Sequence, residues 1–197
     1  MRGGMSGVTM VGFGYKTAWL AVRDGEADAV LAELGARTVK SVDWRSGLDR
    51  SYVSDDRLVA TPPLPGAQDA SWLLVVGRRL LLRPELADPV ALSERFDTEV
   101  QYFASHRVTE YHRWTRAVRG ILVRSFAHLG EDDETTEWFG DPDETERAIG
   151  LPETAPGEDD TLLVDESDVM RIASAWSVDP TSLDGQPGPG PLRLARV

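Results

Sequence analysis

Three histidines, His106, His112 and His128, fall within one stretch from Glu99 to Gly130, EVQYFASHRVTEYHRWTRAVRGILVRSFAHLG. The stretch also holds Arg107, Arg113, Arg116, Arg119 and Arg124, interleaved with Tyr102, Phe103, Tyr111, Trp114 and Phe126. Imidazoles on adjacent strands can converge on zinc or iron(II), so His106, His112 and His128, with Glu110 close by, form one candidate metal set. Their spacing matches neither a His-x-His pair nor the HExxH helix motif, and the expectation is that no metal or other cofactor is bound. Histidines donating to backbone carbonyls account for them more simply. Arginine forks match phosphate or carboxylate, and a flat aromatic can stack a base. Arg113, Trp114 and Arg116 are therefore the candidate ligand-binding residues, with Arg107 and Arg124 beside them. His112 is the candidate acid or base.

Strict alternation positions these side chains on strands. Val100, Tyr102, Ala104, His106 and Val108 fall on one side, and Gln101, Phe103, Ser105, Arg107 and Thr109 on the other. Two further strands, Tyr111 to Ala117 and Ile121 to Leu129, are joined at Val118-Arg119-Gly120, where glycine supplies a positive φ for a short hairpin. The three make an antiparallel meander.

The rest of the chain supplies strands and helices around it. Met10 to Val22 reads as a strand with a bend at Gly12 and Gly14. Asp24 to Leu34 reads as a helix stopped by Gly35. Thr38 to Trp44 is a strand, Tyr52 to Ala60 a hairpin around Ser54 to Arg57, and TPPLPGAQ (61–68) a loop. SWLLVVGRRLLL (71–82) is the most apolar segment, one bulged strand or a tight hairpin. Asp88-Pro89 starts a helix through Phe96; Thr135 to Phe139 adds an edge strand. Asp141-Pro142 starts a helix ended by Gly150, and Asp165 with Asp168 forms a capping box for a helix through Trp176. The fold class expected is α+β, a mostly antiparallel sheet carrying three or four short helices. The boundaries are a flexible N-terminus over 1–9, a single domain over 10–184 and a Gly/Pro-rich tail over 185–197.

Charge is the second strong signal. The net charge of −12 is concentrated: residues 129–168 carry sixteen acids against Arg147 alone, whereas residues 1–128 carry seventeen basic against fifteen acidic residues. Such a field repels phosphate backbones, so nucleic acid is not an expected partner. Glu131, Asp132, Asp133 and Glu134 are the candidate partner-binding residues within the block, which spans 131–168. The absence of cysteine excludes disulfides and thiolate chemistry. No apolar run is long enough to span a bilayer, and MRGGMSGVTMVGFG lacks the apolar core of a signal peptide, so the expected location is cytoplasmic and not membrane-bound. Lys16 and Lys40 are the two lysines among the basic residues, a bias that points to a GC-rich bacterial genome.

Other motifs fail on spacing. VGFGYKT has tyrosine where a phosphate-binding loop needs glycine before its lysine, no serine sits in G-x-S-x-G, and Asp141 to Glu144 lacks the EF-hand glycine and terminal glutamate. Asp168 to Leu183, DVMRIASAWSVDPTSL, resembles the second helix and turn of a phage-repressor-type helix-turn-helix over sixteen residues. Where such a domain would place its recognition helix this chain has DGQPGPGP, and the flanking charge is negative. Trp176 to Pro180 therefore reads as a structural anchor. The functional expectation is a non-enzymatic interaction protein of the acidic antagonist or immunity type, binding a basic protein partner. The alternatives are a small-anion or nucleotide-binding domain or enzyme using the His/Arg/aromatic cluster, and an operon accessory protein binding a second chain through its sheet.

Overall fold

The computed structural model describes residues 8–157 and 160–197. Ten strands form one antiparallel sheet: β1 (Thr17–Arg23), β2 (Arg37–Val42), β3 (Arg57–Ala60), β4 (Leu64–Pro65), β5 (Ser71–Val76), β6 (Glu99–His106), β7 (Tyr111–Val118), β8 (Ile121–Leu129), β9 (Glu134–Phe139) and β10 (Leu192–Arg196). Their order is β2-β10-β3-β5-β1-β6-β7-β8-β9, with β4 paired to β5. The α-helices are α1 (Ala27–Glu33), α2 (Trp44–Val53), α3 (Arg78–Leu82), α4 (Pro89–Arg95), α5 (Glu144–Ala148) and α6 (Glu166–Trp176). The α+β class and the β6-β7-β8 meander are as expected, and β9 is the edge strand expected over 135–139. No helix among the described residues is long and apolar enough to cross a membrane.

Helices cover both faces of the sheet. Trp19, Trp72, Phe103, Trp114 and Phe126 pack with Trp44 and Leu48 of α2 and with Val169, Ile172 and Trp176 of α6. Leu20, Val22, Val75 and Tyr102 pack on the opposite face with Val30 and Leu31 of α1, Leu80 of α3 and Leu92 of α4. Strands buried on both sides carry apolar side chains at consecutive positions, as TAWLAV of β1 and WLLVV of β5 do.

Several segments depart from the sequence expectation. The hairpin expected over 52–60 is instead α2 followed by β3, because Asp43 caps a helix start by accepting from Ser46 N at 2.9 Å. The segment 71–82 is strand then helix, divided at Gly77, where a Cβ would lie 2.8 Å from Arg57 O.

The C-terminal tail reading is corrected outright. β10 inserts between β2 and β3, with Leu194 opposite both Lys40 and Val59, and Leu192, Leu194 and Ala195 are buried. LRLAR buries Leu192 and Leu194 on one face of the sheet and Ala195 on the other, in the slot between β2 and β3, so the Gly/Pro-rich run before it is a crossing loop. Of the N-terminal tail expected over 1–9, residues 1–7 lie outside the described residues. Thr9 forms a bridge with Pro187, and Met10 N donates to Gln186 O at 2.8 Å.

Candidate functional site

The meander register decides which histidines can meet. Across β7 and β8, His112 is paired with His128, and across β6 and β7 with Ser105. His106 is paired with Tyr111, one residue out of phase, and so points to the other side of the sheet. There its Nδ1 lies 3.1 Å from Thr109 Oγ1, and it borders a small cavity with Leu81, Tyr111 and Leu129. The set His106, His112, His128 is therefore split by the sheet and cannot share an ion. Among the described residues no group of three or more metal-ligating side chains gathers elsewhere.

Arg113, Trp114 and Arg116 are not brought to one place either. Trp114 is fully buried, stacked on Phe126 at 4.3 Å, and its Nε1 donates to Glu146 Oε1 at 2.7 Å. Arg113 lies on the opposite face, over the Tyr102 ring and 3.1 Å from Glu137 Oε2. Arg116 donates to Glu99 Oε1 at 2.7 Å, and Arg124 to Glu146 Oε1 at 2.8 Å. These guanidiniums are occupied within the fold, two of them by acids of the 131–168 block. More of that block is structural: Asp143 accepts from Trp176 Nε1 at 2.6 Å and caps α5, while Asp165 and Asp168 form the capping box of α6. Trp176 is thus the anchor its sequence context suggested.

What the fold does assemble is a cavity of about 690 Å³ at the end of the sheet where β6, β7 and β8 meet the segment leading into α6. His112 lines it, as do Glu110, Asp133, Asp165, Glu166, Arg107 and Tyr15. Glu166 Oε1 accepts from Ser105 Oγ at 3.3 Å, holding the first turn of α6 against the strand that carries His112. Asp133, in the β8–β9 turn, accepts from Leu162 N at 3.2 Å and closes the opposite wall. Tyr15 reaches the mouth because Gly14 takes a φ of +123°, where a Cβ would lie 2.7 Å from Met170 Cε.

No family model, curated protein or solved structure matches this chain. Its chemistry rests on the cavity itself.

Burial pushes the His112 imidazole down from the usual 6.5 to about 4, against the opposing pull of the Asp165 carboxylate, and neighbouring His128 pushes the same way. The ring is therefore neutral near pH 7, and its buried Nδ1 has no hydrogen-bond partner among the described residues. Burial also lowers the pKa of His128, whose Nδ1 lies 3.3 Å from Thr135 Oγ1 and whose Nε2 lies 3.8 Å from Asp133 Oδ1. Two of the carboxylates, Asp133 and Asp165, are held ionised. Hydrogen bonds from Thr161 and Leu162 lower the pKa of Asp133, and those from Ser167 lower that of Asp165. A neutral imidazole floor and a rim of four carboxylates against Arg107 make a site that attracts cations and repels anions.

Of the residues singled out from sequence, His112, Asp133, Glu110 and Arg107 reach this site, while Glu131 and Asp132 in the turn and Glu134 at the start of β9 are exposed beside it. Tyr15, Asp165 and Glu166 were not singled out as site residues. Tyr15 lies in a segment that reads as strand, and the acids at 165 and 166 read as a helix start.

Proposed function

We propose that this chain is a non-enzymatic binding protein that captures a basic protein partner on an acidic surface formed by the β8–β9 turn and the segment entering α6. The observation that carries this reading is the hydrogen bond from Leu162 N to Asp133 Oδ1. It joins Glu131 to Glu134 and Asp160 to Glu166, which are separate in sequence, into one surface around the cavity. The internal acids of the block neutralise buried arginines, and those on this surface remain for a partner. Opposed charge of this kind speeds encounter and rejects partners of like sign. The anion or nucleotide alternative loses its support, since Arg113, Arg116 and Arg124 already hold carboxylates and the cavity rim is negative. An acidic antagonist of a basic protein is the biological role this surface suits. Titration with an arginine-rich peptide at low and high salt tests the reading: binding at low salt that weakens steeply as salt rises supports it, and no binding at low salt refutes it.

A further inference from the structure

We infer that the cavity around His112 is an anchor pocket for a guanidinium group, the side chain of an arginine presented by the basic partner. The inference rests on the acidic-surface reading and adds a specific contact to it. Acid residues alone would not define a pocket; His112 supplies the independent observation. The residue is 2% exposed, it lines the cavity, and its Nδ1 is left without a partner among the described residues. A buried polar nitrogen left unpaired is destabilising. A neutral imidazole offers a bare nitrogen that accepts and an N–H that donates. A ligand that brings N–H donors to this floor and positive charge to the rim satisfies both parts of the site.

The surroundings favour guanidinium over ammonium. Glu166 and Asp165 stand on the α6 side and Glu110 and Asp133 on the meander side, so a planar fork of five donors can meet a carboxylate and the imidazole together, whereas an ammonium is a point charge. Tyr15 at the mouth is 49% exposed, and its ring provides a face on which a guanidinium can stack. Two positive features oppose the ligand and neither prevails. Arg107 is outnumbered by four carboxylates on the rim, and the first-turn N–H groups of α6 already donate to Asp165, at 2.7 Å from Ser167 N and 3.2 Å from Asp168 N. The volume of about 690 Å³ admits a side chain together with its flanking backbone.

The test is an NMR titration of the full chain with N-acetyl-arginine amide, with N-acetyl-lysine amide and the uncharged citrulline analogue as comparators. The expected result is saturable shifting of the His112 and Tyr15 ring resonances by the arginine probe, at least about fivefold tighter than lysine, a gap of roughly 1 kcal/mol, with no saturation by citrulline. Glu166→Gln, which leaves the Asp165 cap in place, should weaken binding severalfold, and His112→Phe should abolish it. Equal binding of arginine and citrulline, equal binding of arginine and lysine, or shifts that spare His112 would each overturn the inference. The wild-type shifts decide the matter even if His112→Phe does not fold. If the probe leaves the cavity unmoved while an arginine-rich peptide still binds in a salt-dependent way, the pocket is refuted and the acidic surface stands. If the peptide also fails, both fall.

Discussion

His112 and the Arg124–Glu146 pair show opposite ways of burying a polar side chain. Glu146 is fully buried, yet it accepts from Arg124 Nε and from Trp114 Nε1, and its other oxygen accepts from Asp143 N at 3.0 Å. Arg124→Met would leave that carboxylate under-compensated and should cost about 3–5 kcal/mol, read by urea unfolding; replacing both partners by apolar residues should cost less than the single change. His112 solves the problem by staying neutral. Its proton binds near 6.5 in the unfolded chain and only near 4 in the folded one. Between those values the unfolded chain holds more protons, so stability falls as pH falls through the window, and above 6.5 the residue contributes no pH dependence. The loss for His112 alone should reach about 3 kcal/mol at the acid end. Urea midpoints of the wild type and His112→Phe, compared above and below this window, should diverge by that order; parallel pH profiles would show that His112 titrates normally.

At the level of elements, the meander and the capped helices α4 and α6 were legible because each carries a local signal: strict alternation in β6, Asp88-Pro89, and the Asp165/Asp168 capping box. The segments misread lack one. Asp43 caps α2 without a following proline or a clean apolar stripe, and β10 is five residues whose assignment depends on a vacancy between β2 and β3 that only the assembled sheet defines. The cavity was legible to the same extent. His112 was visible as chemistry, but its separation from His106 follows from a one-residue phase in the β6–β7 pairing, and its carboxylate neighbours come from turns whose place is set by tertiary contacts. The strand assignment has a direct consequence. Leu194 is buried between Lys40 and Val59 on its two neighbours, so Leu194→Ala should cost about 2–5 kcal/mol. Removal of residues 191–197 should abolish a single cooperative unfolding transition, because β2 would lose the strand that pairs it to the sheet. A dispensable tail would leave urea unfolding unchanged in both cases.

Across the whole molecule, the acidic block divides its charges between two roles. Glu137, Asp143, Glu146 and Asp168 are engaged in ion pairs, caps and buried contacts, and Glu137 and Glu146 together with Glu99 offset arginines of the meander. Glu131, Asp132 and Glu134 are exposed beside a cavity rimmed by Glu110, Asp133, Asp165 and Glu166. The proposed role of these surface charges is capture of a basic partner. Its most direct measurement is the affinity of an arginine-rich peptide for the wild type and for the triple variant Glu131→Lys, Asp132→Lys, Glu134→Lys, at low and high salt. The variant should bind at least roughly tenfold more weakly at low salt, about 1.4 kcal/mol, and the two proteins should converge at high salt. Equal affinity of wild type and variant at low salt would contradict it.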